Sequence, residues 1–227
     1  MRWTGSSTIV NTFRRSGTRE QGETCLAWAA TAAHQYAAAQ RHQYAAAKHL
    51  SVEYLHWACG HAPHRRGTIG GLRNALPHHG QPADDQWPYD PTADESDPSY
   101  QPPITVTGPY HTANLRNGPQ DPVDLATELM AGHLAVAVLR VTPQFLNPTG
   151  GIIHGTHGGT DGHAVTVVGV ARTTRAVGPL PKDEHLLCLR NSWGASWGID
   201  GHALLADATW RACGLRTAIV DPAGLRP

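Results

Sequence analysis

The chain has no run of about 18 consecutive apolar residues, which excludes a membrane-spanning helix. Nor is there an apolar core near Met1–Thr18 of the length a secretory leader needs, so a cytoplasmic location is the expectation. Cysteine is scarce: Cys25, Cys59, Cys188 and Cys213 lie far apart, without paired metal-ligand spacing. A dense disulfide framework is thereby excluded, and in a reducing compartment four thiols are expected, one of them special and three for packing. Charge of one sign is also missing. Lys plus Arg and Asp plus Glu each total 18, so no global field gathers nucleic acid or an anionic membrane, and neither is expected as a partner. The only local surplus is Arg14, Arg15 and Arg19, which reads as a solvated face. What is present is ordinary for a soluble protein, 40% hydrophobic and 16% charged, and 227 residues suffice for one compact unit or two small lobes.

The first 20 residues are polar and irregular, with a weak extended piece at Ser7 to Phe13. From Thr24 the pattern changes. Eleven of the 26 residues from Cys25 to Leu50 are alanine, with no proline or glycine, which predicts one long helix from Thr24 to Leu50. Within it His34-Gln35-Tyr36-Ala37-Ala38-Ala39 recurs as His42-Gln43-Tyr44-Ala45-Ala46-Ala47, read as a local duplication that lengthens the helix. Further helices are predicted from Ser51 to about Ala58 and from Ile69 to His78. A run rich in Pro, Asp and Ser, from Gln81 to Pro103, then breaks regular structure. Beyond it short Val- and Leu-rich segments bounded by Gly or Pro predict strands at 104–110, 134–141, 163–170, 186–191 and 202–205. One helix interrupts them, from the cap-then-proline pair Asp121-Pro122 to about Ala131. Helices first and strands afterwards indicate an α+β protein.

Three short segments carry the chemistry. In Gln21-Gly22-Glu23-Thr24-Cys25-Leu26-Ala27-Trp28 a cysteine stands where the long helix begins, with Thr24 as its cap. The unpaired N–H groups and positive pole of a helix start favour thiolate over thiol, and the same N–H groups can hold a developing oxyanion. A buried structural cysteine is the rival reading. Gly162-His163-Ala164-Val165 places a histidine at the mouth of an apolar strand. Asn191-Ser192-Trp193-Gly194-Ala195-Ser196-Trp197-Gly198 places an asparagine at a strand end, followed by two Trp-Gly pairs. A cysteine becomes a steady nucleophile when an imidazole takes its proton, and that imidazole needs a third group to fix its tautomer and direction. An indole beside that pair would shield it from water.

Together these segments resemble the papain-like cysteine peptidases, in particular their bacterial branch. Cys25-Leu26-Ala27-Trp28, His163-Ala164-Val165 and Asn191-Ser192-Trp193-Gly194 are similar to that family's three signatures. Leu50-Ser51-Val52-Glu53, Gly70-Gly71 and Trp87-Pro88-Tyr89 are weaker echoes, and the similarity spans about Arg19 to Ile219. The resemblance implies a single papain-like catalytic unit over 1–227. Its helical left lobe would cover about 21–103 and its antiparallel, barrel-like right lobe 104–220, with 1–20 a crossing segment and the active-site cleft between the lobes. It further implies a hydrolase that cleaves a peptide or amide bond through an acyl-enzyme thioester. Cys25 is then the nucleophile, His163 its base and acid, Asn191 the orienting residue, and Gln21 an oxyanion donor. Gly70 and Gly71 would bind extended substrate through their backbone, and Trp193 would border substrate and shield the His–Asn pair. No cofactor or metal is expected. The expected partners are a peptide, protein or amide substrate, and an inhibitor or regulatory protein.

The chain departs from the family pattern at two points. Gln21 lies four residues before Cys25, where the family places its glutamine six before the nucleophile. A strict alignment of Gln21-Gly22 would put Ala27 at the nucleophile position and describe a catalytically silent peptide-binding protein. The helix-start position of Cys25 argues against that register, because loop lengths vary more easily than helix starts. Secondly, the 24 residues before Cys25 do not fit a long inhibitory pro-segment. Narrow specificity, an external inhibitor, a cleaved precursor, or resolution of the acyl-enzyme by an amine (an acyl or peptidyl transferase) would each account for this. Two further readings concern other residues. His56, Cys59, His61 and His64 have zinc-ligand types at short spacing, but no second paired motif frames them, and a solvated loop is preferred. The family's habit of linking its right lobe with disulfides makes Cys188–Cys213 a candidate pair, with free thiols favoured.

Overall fold

The computed structural model describes residues 2–3 (backbone only), 24–40, 49–60, 67–95, 97–155, 159 and 161–227. Expectations for Ser7–Phe13, Arg14, Arg15, Arg19, the second copy of the duplication at 42–47, His61 and His64 lie outside the described residues. The chain forms two compact units. One comprises Gly17–Arg116 with Ile219–Pro227 and holds helices; the other comprises Met1–Ser16 with Asn117–Ala218 and holds a sheet.

The helical unit is built on α1 (Cys25–Gln40), α2 (Val52–Ala58) and α3 (Ile69–His78). Buried positions of α1 fall on every side of the helix, among them Leu26, Ala30, Thr31, Ala33, His34 and Ala37, so it is a core helix rather than a surface one. Alanine suits that role because it has high helix propensity and lets neighbouring elements approach closely. The helix is described to Gln40, and the expected extension to Leu50 does not occur at its far end. His49 accepts the Asp84 N–H at 2.6 Å, and Leu50 bridges Ala83, so those residues are committed to extended pairing.

Ser51 and Thr68 cap α2 and α3, their hydroxyl oxygens accepting from Tyr54 N–H at 3.0 Å and Gly71 N–H at 2.9 Å. The Ser51 hydroxyl also donates to the Trp87 carbonyl at 2.6 Å. The Leu-Ser-x-Glu segment thus holds the Trp-Pro-Tyr segment. Glu53, fully buried, reinforces it by accepting from Tyr100 Oη at 2.5 Å and from Asp90 N–H at 3.3 Å. His56, also on α2, has its Nε2 2.9 Å from Glu95 Oε2 with both side chains buried, so an internal carboxylate engages the histidine of the zinc alternative. Among the described residues no group of histidine, cysteine and carboxylate side chains could hold a metal ion.

A strand was expected over Ile104–Tyr110, but β2 runs over Tyr110–Asn117. Ile104 is 99% exposed. The side chain of Gln86 takes the hydrogen bonds a strand partner would have made, accepting from Thr107 N–H at 3.0 Å and donating to the Gly108 carbonyl at 2.9 Å. In this unit β2 is tied to the end of β8 (Gly214–Arg226) by Arg116 with Asp221 at 2.9 Å and by Thr112 Oγ1 donating to the Gly224 carbonyl at 3.1 Å. Arg226 donates to the His78 carbonyl and, at 2.9 Å, to the His79 carbonyl, placing a cation at the C-terminal end of α3 where the helix dipole favours it.

In the sheet unit α4 (Pro122–Met130) begins at the Asp121 cap as the sequence predicts. The first part of β8, then β3 (Ala135–Arg140), β5 (Gly162–Arg172), β6 (His185–Arg190), β7 (His202–Ala206) and β4 (Ile152–Ile153) lie in that order. The short β1 (Arg2–Trp3) pairs with β5 at Ala171 and Arg172. The β3–β5–β6–β7 ladder is antiparallel, whereas β4 joins β7 in parallel. The sheet is not closed on itself. Its central strands are buried over nearly their whole length, Ala164, Val165 and Val167 on β5 and Leu186, Leu187 and Leu189 on β6. Two short helices, α5 (Pro143–Leu146) and α6 (Asp207–Cys213), complete the unit. All four cysteines are unbonded to one another. Burial pushes the Cys59 and Cys188 thiols up to about 12, which disfavours the reactive thiolate at both.

Candidate active site

In the helical unit Cys25 is the first residue of α1. The Thr24 carbonyl accepts the Trp28 N–H at 3.0 Å, as the carbonyl of a residue flanking a helix start does. Cys25 and Thr24 are 7% and 6% exposed. Among the described residues no acidic side chain lies in the first turn of α1, where one would offset the pull of the helix's positive pole on anions. Gln21 lies outside the described residues. Gly70 and Gly71 sit in the first turn of α3, where Gly70 is exposed. The Gly71 N–H is already given to Thr68, and a Cβ at Gly71 would lie 2.5 Å from the Cys59 carbonyl oxygen. The absence of a side chain at Gly71 therefore serves the packing of α3 on the end of α2.

In the sheet unit β5 and β6 present His163 and Asn191 side by side. Leu139 faces His163 across the ladder, and Thr166 faces Arg190. His163 Nε2 lies 2.7 Å from Asn191 Oδ1, with the two residues 2% and 6% exposed. Asn191 Oδ1 also accepts the Ser192 N–H at 2.8 Å. A backbone N–H can only donate, so the atom it meets is the amide oxygen, and the histidine must offer its hydrogen at Nε2. The Asn191 N–H is fixed in turn by the Gly201 carbonyl at 3.0 Å.

Two aromatic rings pack on the imidazole, and a third, Trp197, packs behind them. Trp193 tilts against the imidazole with centroids 4.7 Å apart, and Phe145 meets it edge-on at 5.5 Å. Phe145 also packs on Trp193 at 5.4 Å and on Trp197 at 5.1 Å. Trp197 Nε1 donates to the Phe145 carbonyl at 2.8 Å, and Thr142 Oγ1 accepts the Phe145 N–H at 3.1 Å, so the ring is held at both ends of its residue. Gly198 closes the turn after Trp197, where its φ is +60° and a Cβ would lie 2.2 Å from the His202 carbonyl. Exclusion of water by these rings strengthens the His163–Asn191 hydrogen bond. Phe145 and Thr142 escaped the sequence reading. Thr142-Pro143 repeats the cap-then-proline pattern seen at Asp121-Pro122, and that signal could have found them.

A profile of the papain family cysteine proteases matches residues 5–223. The chain belongs to that family. It is thus a cysteine protease by descent, a hydrolase acting on peptide or protein substrates. Xylellain, a cysteine protease from Xylella fastidiosa, shares 19% identity over 97% of this chain and 91% of its own, with a TM-score of 0.72. The Carica candamarcensis cysteine protease CMS1MS2, solved in complex with E-64, shares 19% identity over 95% of each chain at 0.66. The clostridial cysteine protease Cwp84 shares 12% identity over 96% of this chain and 58% of its own at 0.73. At such identities the likeness is one of fold. No curated protein matches the chain significantly.

Proposed function

We propose that this papain-family protease cleaves peptide bonds through an acyl-enzyme, with Cys25 as nucleophile, His163 as the carrier of its proton and Asn191 as the residue that orients the imidazole. The observation that carries the reading is the 2.7 Å contact of His163 Nε2 with Asn191 Oδ1. With hydrogen held at Nε2, the neutral imidazole has its lone pair at Nδ1, and that nitrogen takes the Cys25 proton. The thiolate, favoured by the start of α1, attacks the scissile carbonyl carbon. The C–N bond breaks as Nδ1–H protonates the leaving amine, and a thioester remains on Sγ. Water then gives a proton to Nδ1 and attacks the thioester, which releases the carboxylic acid and returns the thiol.

The oxyanion formed in each half is held by N–H groups of the first turn of α1, with Gln21 as a further donor. Gly70 offers its backbone to extended substrate. Gly71 contributes less, because its N–H is given to Thr68. Trp193 covers the imidazole and borders the leaving side of the substrate.

Hydrolysis and transfer to an amine share the first half-reaction, so the test separates them at the second. Rapid mixing with a peptide ester is expected to release the alcohol in a burst equal to the enzyme present. An added amine should divert part of the acyl product from acid to amide. Dominance of the amide at low amine concentration would make the enzyme a transferase, and the absence of both burst and diversion would contradict an acyl-enzyme.

A further inference from the structure

The side chain of Gln81 is fully buried and joins three elements. Its Nε2 donates to Thr31 Oγ1 on α1 at 2.8 Å and to the Ser51 carbonyl at the start of α2 at 3.0 Å. Its Oε1 meets His34 Nδ1, also on α1, at 2.8 Å. The Gln81 backbone exchanges two hydrogen bonds with His111 on β2, each 2.8 Å. Both hydrogens of Nε2 are committed, so Oε1 is the acceptor and His34 carries its hydrogen at Nδ1. Thr31 and His34 are 2% and 0% exposed.

His34 therefore stands as a neutral imidazole in one tautomer. Burial is the largest cause that lowers its pKa, from 6.5 to about 4; the Gln81 bond opposes this and His111 adds to it. The groups that face it are Gln81 and Thr31, the Thr112 carbonyl, and His111 from β2, whose own pKa burial also lowers. None of these is a carboxylate, so a charge arriving on His34 meets no compensating anion there.

We infer that the Gln81–His34 pair is an acid-sensitive brace for the nucleophile helix: protonating His34 loosens α1 from α2 and β2 and so switches Cys25 off. His34 and Gln81 are positioning residues, acting through α1 and touching no substrate, and the inference rests on Cys25 being the nucleophile. The sign follows from the direction of the shift. The braced chain binds the proton more weakly than the loosened one, so nothing is lost above the ordinary value of 6.5. The loosened form gains ground as pH falls from 6.5 to about 4, and the gain is complete below that. That interval corresponds to roughly a hundredfold or more in the ratio of the two forms.

The test is amide hydrogen exchange and peptidase activity across this interval, corrected for intrinsic exchange, on the unmodified chain and on His34→Asn. Asparagine keeps a donor for Gln81 Oε1 and cannot titrate. The unmodified chain should lose α1 protection roughly a hundredfold more than His34→Asn, each relative to its neutral value. Protection in β5 and β6 should hold in both, and activity should fall with α1. Identical normalised profiles would overturn the brace. Histidine NMR of the unmodified chain supplies an arm that needs no variant: His34 should titrate together with α1 loosening. A His34 that titrates at its ordinary value while α1 stays protected would also overturn it. A chain inactive at every pH contradicts the nucleophile assignment instead, while exchange and NMR still decide the brace.

Discussion

Cys25→Ala is expected to lower kcat/KM for peptide hydrolysis by about a thousandfold or more while leaving peptide binding nearly unchanged. The substitution removes one small atom group at the first position of α1, where alanine is at ease in a helix, so the fold should persist. What vanishes is the group proposed to form the covalent intermediate. His163 and Asn191 then have no nucleophile to serve, and residual rate should come from binding and oxyanion donors alone. Turnover by the product-free variant, with binding by isothermal calorimetry, checks both halves. A variant that binds and behaves like the parent in every assay would describe a silent peptide-binding protein. Activity close to the parent's would move the nucleophile elsewhere.

Asn191→Ala should be nearly as damaging, by about a hundredfold to ten-thousandfold in kcat, with KM little changed because Asn191 is proposed to act on the imidazole and not on substrate. Its Oδ1 accepts two hydrogens, from His163 Nε2 and from the Ser192 N–H. Removing it takes a buried acceptor from both, beside the packed rings of Phe145, Trp193 and Trp197, at a cost of about 1–3 kcal/mol in stability. The imidazole also loses the bond that keeps its lone pair at Nδ1. Steady-state kinetics and thermal unfolding measure the two effects separately. A stability loss without a kcat loss would leave Asn191 a structural residue only.

The parts of this account that were legible in the sequence are those whose local chemistry is strong. The helix over Ile69–His78 and the strand around His163, an apolar run, both appear where they were expected, and the structure adds the Thr68 cap. The family signatures at Cys25, His163 and Asn191 were readable because each sits at the end of an element. Other features depended on partners distant in sequence. Ile104–Thr107 has the β-branched residues of a strand, but Gln86 satisfies its backbone and prolines flank it. The strand over Gly214–Arg226 contains Pro222 and Gly224, which read as breakers, and α6 follows Ala206, which has no side-chain cap to announce it. Thr142-Pro143 marks the turn that carries Phe145, but the three ring contacts of Phe145 join residues distant in sequence. The Gln81–His34 bond joins positions 47 residues apart, beyond the reach of any periodicity.

One measurement bears most directly on the central claim that Cys25 is an activated nucleophile. The reduced, folded chain is treated briefly with E-64, its intact mass is recorded, and the adduct is located by peptide mapping. The account predicts one adduct per chain, on Cys25, with Cys59, Cys188 and Cys213 unmodified, since burial raises the pKa of all three. No adduct on folded protein, or labelling spread over the four cysteines, would contradict it.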